Sequence, residues 1–120
     1  MTTVFPIELP EFDTGEYEDC ELHMSGGNAV LAVLVTGREP IRIGFTNVRW
    51  HRFTSTYACP ADWVSGYYFK VGVVAGSREL ENHLWADRAS VKAYSELHHF
   101  RIFLDETGCH EFLAERADAR

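Results

Sequence analysis

The stretch HFRIFLDETGCHEF, residues 99–112, decides how this chain is read. It holds imidazoles at His99 and His110 and a thiol at Cys109, with His98 just before it. It reads either as half of a metal site or as a β-hairpin. Asp105-Glu106-Thr107-Gly108 is a turn sequence, with Gly108 the natural residue for a left-handed backbone. A three-residue loop closing on a glycine bulge pairs Asp105 with Cys109. Leu104 then faces His110, Ile102 faces Phe112, and Phe100 faces Ala114. One face of the hairpin is apolar. The other carries His99, Arg101, Phe103, Glu111 and Glu115, and is expected to be half exposed. Neighbours in a strand point to opposite faces, so Cys109 and His110 do not share a metal, nor do His98 and His99. The pattern therefore favours a structural hairpin and no metal site.

Outward from the hairpin the pattern is again mostly strand. Residues 18–24 alternate, with Cys20, Leu22 and Met24 on one face and Asp19, Glu21 and His23 on the other. SGGN, residues 25–28, is a turn, and AVLAVLVT after it is apolar on both faces, as a central strand would be. IRIGFTNVRWHRF, residues 41–53, alternates with a break near Thr46 and Asn47. YYFKVGVVA, residues 67–75, reads as a further strand. Pro60 opens one short helical turn after Cys59. Ser77 is placed to cap a helix that carries Glu79 and Glu81 in its first turn and runs to about Arg88. Leu80, Leu84 and Trp85 are its expected buried stripe. Ser90–Glu96 fits helix or loop. Residues 1–15 read as an extended acidic lead-in and 116–120 as a frayed tail. The expected fold is one α+β domain over 1–120: an antiparallel β-sheet or small sandwich of five to six strands with one packed helix.

The charge is lopsided. Seven acids, from Glu8 to Glu21, precede the first base, Arg38. From there on acids and bases balance, eleven of each, so the whole net charge of −7 lies in the first 21 residues. Such asymmetry attracts a basic partner and speeds its approach. RWHRF, residues 49–53, interleaves bases with aromatics in the manner of single-strand nucleic-acid binders. The acidic total argues against nucleic acid and for arginines that pair with local acids. Trp63 and Tyr67 lie in an aromatic-rich connection, where they either roof the core or anchor an interface.

Other chemistry finds little support. Three cysteines, Cys20, Cys59 and Cys109, match neither a disulfide framework nor a zinc spacing. No G-x-S-x-G or phosphate-binding loop occurs, and no cofactor is implied. The first ten residues lack the basic start and apolar core of a signal peptide, and the apolar run 29–35 is too short to span a bilayer. A cytoplasmic protein is expected, neither membrane-bound nor catalytic.

The segments VVAGSRELENHLW and HHFRIFLDETGCHEFLAE, within residues 67–115, resemble small uncharacterised bacterial proteins of the immunity type. The shared cadence is a strand, a Ser-capped helix with a Trp, and a hairpin of the form H-[FY]-R-[IL]-[FY]-x-D-x-x-G-x-x-[ED]. VAGS departs from it by lacking acids before the Ser. The resemblance implies a protein that binds and neutralises a toxin, with no catalytic residues. A toxin that cleaves nucleic acid is itself cationic. Glu11, Asp13, Glu16, Glu18, Asp19 and Glu21, with Trp63 and Tyr67, are the candidate partner-binding residues. The alternative is a small-molecule binder or enzyme with a pocket between sheet and helix.

Overall fold

A computed structural model describes residues 4–86 and 97–120. Among them nine strands form two sheets, antiparallel in every pairing between strands. The strands are β1 (Ile7–Glu8), β2 (Tyr17–Ser25), β3 (Asn28–Val35), β4 (Ile41–Thr46), β5 (Trp50–Ser55), β6 (Lys70–Val73), β7 (His98–Leu104), β8 (Gly108–Ala114) and β9 (Arg116–Ala119). Two α-helices, α1 (Ala61–Tyr67) and α2 (Arg78–Ala86), and two 3-10 turns, Thr14–Glu16 and Thr56–Ala58, complete the described elements. One sheet has the order β1-β6-β7-β8-β5 and the other β2-β3-β4-β9.

The sheets share one core. Alternation along β3 and β4 turns Leu31, Val33, Ile43 and Phe45 inward, where they meet Phe100, Ile102, Leu104 and Phe112 of the hairpin. The Phe45 and Phe112 rings stack with centroids 3.9 Å apart, which fixes how the two inner faces interdigitate. The Gly26–Gly27 turn takes positive φ at both residues, the geometry that suits the twist of a two-residue hairpin between β2 and β3.

Several expectations need correction. The strands number nine rather than five to six, and two helices replace one. The additions are small: the short strands β1 and β9 at the chain ends, and α1, which lengthens the helical turn expected after Pro60 to Ala61–Tyr67. Residues 116–119, expected to fray, pair with β4, and Ala117 is buried against Phe45. Within the lead-in, Ile7–Glu8 pairs with β6, and Thr14–Glu16 forms a 3-10 turn. The strand read over 67–75 shrinks to Lys70–Val73, because Tyr67 closes α1. The hairpin register lies two residues from the expected one: Leu104 pairs with Gly108, Ile102 with His110, and Phe100 with Phe112. A shift of two preserves every face. Leu84 and Trp85 point outward, at 36% and 68% exposure, leaving Leu80 half-buried. The end of that helix toward Arg88, and Ser90–Glu96, fall outside the described residues.

Candidate functional site

The outer face of the β7–β8 hairpin was expected to be half exposed. Instead it is covered. His99 and Glu111 are fully buried, and Arg101 nearly so. Burying a carboxylate is costly unless it is paired and hydrogen-bonded. Glu111 meets that condition on both oxygens. Its Oε1 accepts from His99 Nε2 at 2.8 Å and from Arg101 Nε and Nη2 at 3.0 and 2.9 Å. Its Oε2 accepts from Arg52 Nε at 2.9 Å, and Arg52 Nη2 makes an ion-pair contact with the same oxygen, also at 2.9 Å. Burial alone would raise the Glu111 pKa, but the hydrogen bonds from His99, Arg52 and Arg101 outweigh it and hold the carboxyl at about 2.

The lid over this cluster comes from both helices. Ser77 caps α2: its hydroxyl accepts the Leu80 N–H at 3.0 Å and donates to His99 Nδ1 at 2.5 Å. Glu79, in the first turn of α2, reaches Arg52 Nη2 at 3.4 Å. From α1, the Trp63 ring lies 3.9 Å from the Arg101 guanidinium carbon and 5.5 Å from that of Arg52. Tyr67 stands 5.0 Å from Arg101 and packs over Gly72, where a Cβ would come within 2.7 Å of the ring. Two arginines and two glutamates balance their charges across this roof.

A hydroxyl–imidazole–carboxylate chain has the connectivity of an acid–base relay. Here its hydroxyl serves as a helix cap and is itself buried, and its carboxylate is neutralised by two arginines. The arrangement braces both helices to the sheet. Beside it, a groove of about 640 Å3 opens between α1 and β6, bordered by Asp62, Tyr67, Lys70 and Arg101.

A second polar group sits on the inner face, where β2 overhangs β8 and β5. His110 Nδ1 lies 3.0 Å from His51 Nε2 with the rings stacked, and His110 Nε2 lies 3.6 Å from Cys20 Sγ. Burial, then the neighbouring His51, pushes His110 down to about 4. Burial likewise lowers His51 and raises the Cys20 thiol, so the neutral forms are favoured. Cys109 points to the opposite face from His110 and is buried. Among the described residues no three His, Cys, Asp or Glu side chains converge as a metal-holding group. The described cysteines are all free thiols.

The candidate partner-binding residues fall in two places. Glu11, Asp13, Glu16, Glu18, Asp19 and Glu21 are all exposed. Asp13 caps the 3-10 turn by accepting the Gly15 N–H, Glu18 sits at a bulge of β2, and Asp19 and Glu21 stand on its outer face. Trp63 and Tyr67 are half-buried over Arg101, on the face that the helices roof. The β7–β8 turn adds two acids that sequence reading did not assign to this region. Asp105 and Glu106 border a shared cleft with Thr14, Gly15 and Tyr17. Tyr17 binds Thr107 at 2.6 Å, fastening the acidic segment to the turn, and Tyr68, just past α1, donates to Asp105 at 3.3 Å.

No family model, curated protein or solved structure matches the chain. No described helix is long and apolar enough to cross a membrane.

Proposed function

We propose that this chain is a protein-binding inhibitor of the immunity type, which captures a basic bacterial toxin through its acidic end and performs no catalysis. The observation that carries the reading is the gathering of exposed carboxylates from distant parts of the chain. The lead-in and β2 supply Glu11 to Glu21, and the β7–β8 turn supplies exposed Glu106 and half-buried Asp105 across a cleft from Thr14, Gly15 and Tyr17 of that segment. Clustered exposed carboxylates add association rate and partner choice through a long-range field. The converging buried groups, by contrast, neutralise one another, and the groove that Arg101 borders is open to solvent.

The test is a growth assay in the source cell. The reading frame beside this chain's gene is induced with and without this protein. Arrest by the neighbour and recovery with this chain is the expected result. A variant with Glu16, Glu18, Asp19 and Glu21 all changed to Lys should bind that neighbour more slowly, with a flatter salt dependence. Unchanged binding by this variant sinks the acidic-surface reading.

The groove between α1 and β6 favours a second reading, a small-molecule binder holding an anionic ligand near Lys70 and Arg101. A thermal-shift screen of small carboxylates and phosphates addresses it. A hit abolished by Lys70→Ala would support that reading.

A further inference from the structure

β2 is the longest of the four edge strands among the described residues, nine residues against two for β1, six for β5 and four for β9. Among the described residues its far side has no strand partner. The two-residue turn makes Ser25 and Asn28 a hydrogen-bonded pair, so alternation sends the amides and carbonyls of Cys20, Leu22 and Met24 away from β3. The Cys20 N–H fits this pattern, since it is met by its neighbour's carboxylate, Asp19 Oδ1, at 2.8 Å.

The side chains of this edge sort by chemistry. Asp19 and Glu21 stand on the outer face, and Glu18 bulges beside them. Cys20, Leu22 and Met24 line the inner row. That row faces the gap between the two sheets, where Cys20 meets His110 and the His110 ring meets Phe53. Phe53, beside His110, is 47% exposed, and Met24, at the turn end of the row, is 52% exposed. An exposed edge of this length invites another strand unless charge forbids it. A second copy of β2 would set carboxylates beside carboxylates, so like charge excludes self-pairing. A basic strand meets no such barrier.

We infer that β2 is the docking edge: an extended partner segment that alternates basic and apolar residues adds to the sheet here. Its backbone pairs with Cys20, Leu22 and Met24, its bases lie beside Asp19 and Glu21, and its apolar side chains cover Met24 and Phe53. Strand addition draws affinity from main-chain hydrogen bonds and specificity from alternate side chains. This inference rests on the inhibitor reading for the identity of the partner, but the edge itself is testable alone.

The probe is a ten-residue synthetic peptide alternating lysine and valine, with a glutamate–valine peptide as control. Amide hydrogen exchange is followed by NMR. The lysine peptide should slow exchange at Cys20, Leu22 and Met24 at least about tenfold at low salt, and the glutamate peptide should not. Leu22→Pro removes an outward N–H while leaving the bonds to β3, a substitution that edge strands tolerate. It should abolish protection. The D19K/E21K double variant, which leaves the backbone untouched, should weaken binding about tenfold or more and covers the case where L22P fails to fold. Protection elsewhere, equal protection by both peptides, or indifference to D19K/E21K overturns the docking edge. In the growth assay, full neutralisation by a folded L22P overturns the edge and leaves the inhibitor reading standing. Protection by the peptide beside a harmless neighbour overturns the inhibitor reading and leaves the edge.

Discussion

Arg101 stands directly opposite Glu111 across the β7–β8 pair, and its Nε and Nη2 both fall on the same carboxylate oxygen, the one that also accepts from His99. Directly opposed charges on a sheet face attract at short range. At the surface such a pair is worth little. Here two helices close over it, so its value depends on every member being present. The consequence is a cluster with a strongly asymmetric response to substitution.

Glu111→Gln should be the most damaging single change in the cluster. It leaves Arg101 buried and Arg52 without its main partner. Breaking a buried pair from one side costs about 3–5 kcal/mol, which for a domain of this size is a fall in Tm of roughly 10–20 °C. Arg52→Ala should cost less, about 1 kcal/mol, because the Arg52 side chain is 36% exposed and Glu111 keeps Arg101 and His99. Urea denaturation of the two variants measures the order. Equal effects would show that Glu111 is not the centre of the cluster.

Acid should destabilise the fold in two stages. His110 titrates near 4 in the folded chain against an ordinary 6.5, so the unfolded chain takes up its proton first as pH falls. This contribution, up to about 3 kcal/mol, is whole above pH 6.5 and lost between 6.5 and 4. His51, lowered by burial, adds in the same direction. Glu111 titrates near 2 against 4.5, so its stabilisation persists above pH 4.5 and drains away between 4.5 and 2. His110→Phe should flatten the upper stage and spare the lower one. Stability measured by urea denaturation at each pH gives both slopes, and an unaltered upper stage in H110F would remove His110 as its cause.

Much of the core was legible because alternation survives errors of register. Phe100, Ile102, Leu104 and Phe112 were placed on one face, and a slip of two residues left them there. Arg52 was expected to seek local acids, and does. What the pattern concealed was the cover. Alternation reports two faces of a strand and is silent on whether a helix lies over the polar one. His99, Arg101 and Glu111 looked like a surface row, though Phe103 and Leu113 beside them on that face are buried too. The acidic segment was legible as charge. Its junction with Asp105 and Glu106 was not, because nothing local ties residues about ninety positions apart. β1 and β9 were hidden by brevity: two to four residues cannot establish a period.

Ser77→Ala tests the joint between helix and cluster, one that the sequence half disclosed. The N-cap was readable from Ser77 followed by acids, but the bond to His99 was not. Loss of the cap costs about 1 kcal/mol, and leaving His99 Nδ1 buried without a partner adds about 1–3 kcal/mol. Hydrogen exchange should speed up first in the opening turn of α2. Ser77→Thr keeps the hydroxyl and should recover most of the loss. If S77A costs no more than an isolated cap, the hydroxyl–imidazole bond contributes nothing.

Gly108→Ala should be severe while Gly44→Ala should be mild, although a Cβ at either site meets another atom. The expected hairpin put Gly108 inside the turn as its left-handed residue. The structure gives that conformation to Glu106, at φ 64, and sets Gly108 in β8 at φ 133. There its backbone presses on β5: an added Cβ would run into the Thr54 carbonyl oxygen, with Ser55 Cα at 2.9 Å. Neither obstacle is a side chain that can swing away, and the φ itself is strained for alanine, so a loss of about 3 kcal/mol or more follows. At Gly44 the obstacle is the Arg120 side chain, which is 49% exposed and bonds Asp118 at 3.3 Å. That guanidinium can rotate into water, so G44A should cost less than about 1 kcal/mol. Chemical denaturation of the pair decides the matter. A mild G108A would mean that β5 and β8 do not approach this closely in solution.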